Sequence, residues 1–195
     1  MSRKLPGFLF WLQWTIATVL GRLLGRAAVE LLTWVAGNGP HILPVRMLLL
    51  GAAIGICQWW VLKPYLPRAH RWLVATMLGG GVTGRAAVLT GLTQWLVLRC
   101  CVPRAGIWIG TNLIAGMMSW FLFQWVSGPL LVSLGVHPWS VALARLLGDL
   151  VEGGVTASVM LGLLKQSRVN LTQLGRTPDS LPYRKLDLRT VLLPR

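Results

Sequence analysis

Long apolar stretches separated by short polar joints organise this chain. They fall at about 8–35, 43–62, 72–98, 107–134 and 141–164, and each reaches the roughly 20 residues a helix needs to cross about 30 Å of hydrocarbon. A lone apolar stretch of that length can satisfy its backbone in lipid only as a helix. The pattern therefore predicts an all-α integral membrane protein, a bundle of four or five spans over residues 1–164. The first stretch follows Arg3 and Lys4, is too long for a signal-peptide core and lacks a small-residue cleavage motif, so it reads as a retained span. Residues 165–195 change character, with seven Lys and Arg and with Pro178, Pro182 and Pro194, and read as a basic tail lying along the membrane surface or a partner.

The joints orient the bundle. Positive charge sits at Arg3 and Lys4, at Lys63, Arg68 and Arg71, at Arg99 and Arg104, and along the tail, whereas 36–42 and 128–140 carry no Lys, Arg, Asp or Glu. Basic joints face the cytoplasm, which places the N-terminus and the tail there in a bacterial inner or thylakoid membrane. Parity then requires 72–98 to begin and end on one side, as a re-entrant helical pair turning near Gly79-Gly80-Gly81. The alternative is one tilted 27-residue helix with its glycines used for close packing.

A phrase recurs at a spacing of 36 residues: Gln58-Trp-Trp-Val-Leu-Lys, Pro67-Arg-Ala and Trp72 return as Gln94-Trp-Leu-Val-Leu-Arg, Pro103-Arg-Ala and Trp108. Gly25-Arg-Ala-Ala-Val29 likewise matches Gly84-Arg-Ala-Ala-Val88, and Gly80-Gly-Val-Thr83 is echoed at Gly153-Gly-Val-Thr156. The chain thus reads as degenerate repeats of about 36 residues. The phrase around Gln94, Pro103 and Trp108 resembles a repeat of multi-span membrane proteins from cyanobacteria and related bacteria, over roughly residues 43–125. The resemblance implies helical hairpins and carries over no catalytic residue. It also brings a photosynthetic pigment–protein assembly into consideration.

Composition narrows the chemistry. Apolar residues make up 54% of the 195 and charged residues 12%, too little charge for a soluble surface. Net charge is +14, but 12 of the 19 Lys and Arg stand singly at segment ends or inside apolar runs. That distribution suits anionic lipid and not nucleic acid. Cys57, Cys100 and Cys101 have neither disulfide-framework nor metal-site spacing. No catalytic motif occurs, so an enzyme is not expected.

Charges inside the apolar runs are the exception. Arg22, Arg26 and Glu30 stand at successive i,i+4 positions, as do Arg145 and Asp149, with Glu152 three further on. This spacing lets each helix neutralise its own charge. Arg85 has no acid in its own segment and is expected to find Glu30 or Glu152 in a neighbouring helix. Gly51 with Gly55, and Gly106 with Gly110, form small-xxx-small faces expected to pack helices. His137, beside Trp139, is the residue suited to act as single axial ligand to a chlorophyll. The eleven tryptophans read chiefly as interfacial anchors, with some left to touch carotenoid, chlorophyll or structural lipid.

Three functions fit this pattern: a noncatalytic structural or accessory subunit among other integral membrane subunits, a pigment-contacting accessory subunit of a photosynthetic complex, and a small transporter with a charged intramembrane route.

Overall fold

The computed structural model describes residues 7–66, 68–83, 87–133 and 138–173, and the side chains of these except 81–83, 87, 127–133, 138 and 168–173. The described residues form six α-helices: α1 (Phe8–Ala36), α2 (Leu43–Leu62), α3 (His70–Thr83), α4 (Ala87–Leu98), α5 (Ile107–Ser133) and α6 (Pro138–Gln173), with a 3₁₀ turn at Pro40–Ile42. Three stretches are each long and apolar enough to cross a membrane: Phe8–Ala36, Pro40–Leu62 and Trp139–Ser167. α5 has comparable length at 27 residues, but its described part carries Asn112, Ser119 and Gln124.

Local chemistry sets the breaks. α1 ends at Gly37, which adopts φ 80° and returns its N–H to the Thr33 carbonyl at 2.9 Å, a left-handed stop that glycine adopts without a Cβ clash. A proline in the first turn opens α2, where a missing N–H costs nothing. The stretch read as 72–98 is two helices, α3 and α4. They run antiparallel: Gly79 abuts Thr90, and Thr93 Oγ1 donates to the Ala75 carbonyl at 2.7 Å. α6 continues nine residues past the expected boundary at 164, because no proline interrupts the chain until Pro178.

Each helix packs against its sequence neighbours, and α6 closes back onto α1. The result is a ring of three antiparallel hairpins, α1–α2, α3–α4 and α5–α6. The exterior is apolar, exposing Leu24, Leu31, Trp34, Trp60, Trp125 and many others, while Thr18, Gln58, Thr76, Gln94, Asn112, Asp149 and Thr156 are buried. That distribution inverts the soluble pattern and suits a surface solvated by lipid.

Close approach within the ring rests on glycine. A Cβ on Gly21 would lie 2.6 Å from the Ile54 Cα, one on Gly51 would lie 2.8 Å from the Thr76 carbonyl oxygen, and one on Gly55 would meet the Leu73 backbone at 3.1 Å. Gly106 and Gly110 differ from expectation: a Cβ on either meets nothing within 4 Å. Gly106 immediately precedes α5 and Gly110 lies in its first turn; both are exposed, and neither packs against a helix among the described residues.

Candidate functional site

One end of the ring is closed by aromatic residues. Trp14, Trp72 and Trp108 lie within the first two turns of α1, α3 and α5 and are at most 1% exposed. Their ring centroids form a triangle with sides of 5.6, 5.7 and 6.1 Å and interplanar angles of 61–84°, the edge-to-face geometry that indole quadrupoles favour. Leu62, Leu98 and Met160 from the returning helices fill the layer beneath, followed by Leu66, Val102 and Leu164. Trp72 and Trp108 are therefore core residues and not the interfacial anchors that their place beside the joints suggested. Trp34, Trp60, Trp125 and Trp139 are exposed at 74–85%.

The joints between hairpins share one backbone. Arg68 and Arg104, ten residues after Gln58 and Gln94, adopt left-handed φ of 60° and 58°, and in each joint the next helix begins with bonds to that arginine and the alanine after it. A left-handed non-glycine residue costs about 1–2 kcal/mol, so the surrounding packing must hold it. Ala69, Ala105 and the tryptophan layer share one core, which places both joints at the same end of the bundle.

Above the tryptophans lies a hydrogen-bonded circuit. Trp72 Nε1 donates to Gln58 Oε1 at 3.0 Å, and Gln58 Nε2 donates to Thr18 Oγ1 at 3.1 Å. Trp108 Nε1 donates to Gln94 Oε1 at 2.8 Å, and Gln94 Nε2 to Thr76 Oγ1 at 2.9 Å. In the third sector Trp14 Nε1 donates to Thr156 Oγ1 at 3.1 Å. Thr18, Thr76 and Asn112 each donate back to the carbonyl of the tryptophan four residues earlier, at 2.9–3.0 Å. The tryptophan, glutamine and threonine groups of this layer have their partners supplied by protein, as burial in a low-dielectric interior demands.

One helical turn beyond the circuit, charges from α1 and α6 meet. Arg22 Nη1 lies 3.1 Å from Asp149 Oδ1, and Arg22 Nη2 bonds Glu152. Arg26 Nη2 lies 2.7 Å from Asp149 Oδ2 and 2.8 Å from Oδ1. The neutralisation expected within each helix instead runs between helices: Asp149 points inward and is 1% exposed, while Arg145 leans over the Phe123 ring at 5.9 Å. Glu30 is exposed and makes none of these pairs. Arg85 and His137 lie outside the described residues.

Circuit and charges border a cavity of about 1120 Å³ lined from all six helices, among others by Thr18, Arg22, Gln58, Thr76, Gln94, Asn112, Asp149 and Thr156. The circuit is its floor, and of the three buried tryptophans Trp108 alone borders it. α3 and α4, about 21 and 18 Å long at helical rise against about 40 Å for α1 and α5, wall only its lower part. Among the described residues no group of His, Cys, Asp and Glu could hold a metal ion. No family model, curated protein or solved structure matches the chain.

Proposed function

We propose that this chain is a small membrane transporter, which admits a polar solute to the interior of its helical ring. The observation that carries this reading is the cavity itself: a chamber whose lining is mostly apolar but which carries a charged wall and a polar floor, inside a bundle whose outside is apolar. A scaffold needs only close packing, and a ring that already closes on itself satisfies that need without enclosing about 1120 Å³. Intramembrane ionisable groups that face a cavity mark solute or ion routes more often than they serve as structural glue. Arg22, Arg26, Asp149 and Glu152 form the charged wall, the buried circuit is the floor, and the shorter α3–α4 pair, re-entrant in the membrane, leaves the upper chamber open toward one side.

Proteoliposomes test this by stopped-flow light scattering against an osmotic step of a small neutral solute. Faster solute entry than into protein-free vesicles is expected, and equal rates would refute the reading. The accessory-subunit alternative retains one observation: Gly106 and Gly110 present an open small-residue face suited to a partner helix. Co-purification of a stoichiometric membrane partner that is lost in Gly106→Leu would favour it.

A further inference from the structure

The polar circuit is complete in two of the three hairpins and interrupted in the third. In α1–α2, Gln58 bridges Trp72 to Thr18; in α3–α4, Gln94 bridges Trp108 to Thr76. The position equivalent to these glutamines in α5–α6 is Thr156, which accepts from Trp14 as the glutamines accept from their tryptophans. It is followed at four and eight residues by Met160 and Leu164, as Gln58 is by Leu62 and Leu66 and Gln94 by Leu98 and Val102, all in one core. Its counterpart across the hairpin is Asn112, four residues after Trp108 as Thr18 and Thr76 follow Trp14 and Trp72.

Register places Asn112 and Thr156 opposite each other. Gly25, seven residues after Thr18, abuts Leu50, eight before Gln58; Ser119, seven after Asn112, abuts Gly148, eight before Thr156. Threonine is shorter than glutamine by a carboxamide, however, and its hydroxyl donates to the Glu152 and Gly153 carbonyls of its own helix. No described bond joins Thr156 to Asn112. Both line the cavity, and among the three buried tryptophans Trp108 alone borders it, so the chamber reaches its floor in this sector.

We infer that the place of the missing carboxamide is the binding subsite of the solute's polar head, and that the head is a neutral primary amide, H₂N–C=O. This rests on the transporter reading and names its substrate class. Asn112 uses one N–H of Nδ2 on the Trp108 carbonyl, which leaves Oδ1 as an acceptor and the second N–H as a donor. Thr156 Oγ1 already donates to its own helix and keeps acceptor capacity beside the bond from Trp14. The subsite thus presents two acceptors, Asn112 Oδ1 and Thr156 Oγ1, beside one donor, the second Asn112 N–H, and asks for a group that joins N–H donors to an acceptor. Cationic donors are disfavoured, since Arg22, Arg26 and Arg145 outnumber Asp149 and Glu152 around the chamber. A planar amide meets the donor requirement without charge, and Trp108 offers an apolar face to its carbon body.

Propionamide, which is the glutamine side chain cut at Cβ, is the probe. With purified full-length protein in mild detergent, the apparent Tm should rise by about 3–6 °C at tenfold excess over Kd, and isosteric 2-butanone should give no rise. Thr156→Gln supplies the amide covalently: its own Tm should exceed wild type, and propionamide should no longer shift it. If Thr156→Gln does not fold, Asn112→Leu removes the acceptor and should abolish the propionamide shift. An equal shift in wild type and variant, or none in wild type, overturns the proposal. A Ser119→Cys variant in a background with Cys57, Cys100 and Cys101 replaced by Ser, labelled in the same preparation, separates the two claims. Labelling from water without a propionamide shift refutes the amide subsite alone, and no labelling with no shift refutes the solute chamber as well.

Discussion

Replacing Gln94 by leucine is the sharpest perturbation of the interior circuit. The side chain is 2% exposed, and a leucine of similar volume keeps its place filled, so chamber water does not substitute for what is lost. Two interhelical bonds disappear, from Trp108 at 2.8 Å and to Thr76 at 2.9 Å, each worth about 0.6 kcal/mol on average and up to about 1.7 in membrane proteins. Trp108 Nε1 is then a buried donor without an acceptor, which adds about 1–3 kcal/mol. Thr76 loses only an incoming bond, since its hydroxyl still donates to the Trp72 carbonyl. Leucine is of similar volume and returns part of the loss through packing, so Gln94→Leu should destabilise by about 2–4 kcal/mol. The assay is unfolding of the purified protein in mixed micelles of rising SDS fraction, followed by tryptophan fluorescence. Trp108→Phe removes the orphaned N–H, so the double variant should be more stable than the sum of the single effects by about 1–2 kcal/mol. Gln58→Leu, which cuts equivalent bonds to Trp72 and Thr18, should behave alike. Additivity of Gln94→Leu and Trp108→Phe within about 0.5 kcal/mol would refute the reasoning.

Other parts of the structure make separate predictions. Asp149→Asn leaves Arg26 without its carboxylate and Arg22 with only Glu152 and should cost about 3–5 kcal/mol, with partial recovery when Arg26→Leu is added; no loss in the SDS titration would show that the pairs are solvated. Gly51→Val forces a side chain onto the Thr76 and Met77 backbone and should cost at least about 1–3 kcal/mol, whereas Gly110→Ala meets open space and should be neutral or stabilising by up to about 1 kcal/mol in thermal melts; the reverse order would contradict the packing described. Burial, with Cys100 adding to it and Arg71 and Arg68 opposing, pushes the Cys101 thiol above its ordinary value. With Cys57 and Cys100 replaced by serine, its alkylation should therefore be slow at neutral pH and rise about tenfold per unit through pH 8–9, and a plateau below that range would contradict the shift.

Much of the architecture was legible in the pattern of apolar stretches, because the boundaries of α1, α2 and α5 are set by glycine, proline and charge at their ends. The division of 72–98 into α3 and α4 was one of two readings open in the sequence, favoured by the parity of basic joints against a single tilted helix, and no periodicity in the stretch itself decides between them. The charged residues Arg22, Arg26, Asp149 and Glu152 were also visible, but spacing along a helix says only which side chains share a face. It was the closure of α6 onto α1, a contact between chain ends, that paired them across helices and left Arg145 to Phe123. The circuit was least legible. Gln58, Trp72, Gln94 and Trp108 stood out as a repeated phrase, yet tryptophan beside a basic joint reads as an interfacial anchor, and its burial depends on three hairpins meeting at one end. Thr18, Asn112 and Thr156 had no signal in isolation; the clue was a glutamine fourteen residues before a buried tryptophan, whose third counterpart is divided between α6 and α1. Gly106 and Gly110 show the converse, a packing motif with no partner among the described residues.

Water access to the chamber in a membrane tests the account most directly. In a chain with Cys57, Cys100 and Cys101 replaced by serine, single cysteines at Ser119, which borders the cavity, and at Ile114, which faces outward at 57% exposure, would be exposed in intact proteoliposomes to a small, charged, membrane-impermeant methanethiosulfonate. The account predicts that Ser119→Cys is modified and that Ile114→Cys, solvated by hydrocarbon, is not. Modification of Ile114→Cys with protection of Ser119→Cys would mean that the polar interior is sealed and the apolar exterior is not in lipid, which contradicts the central claim.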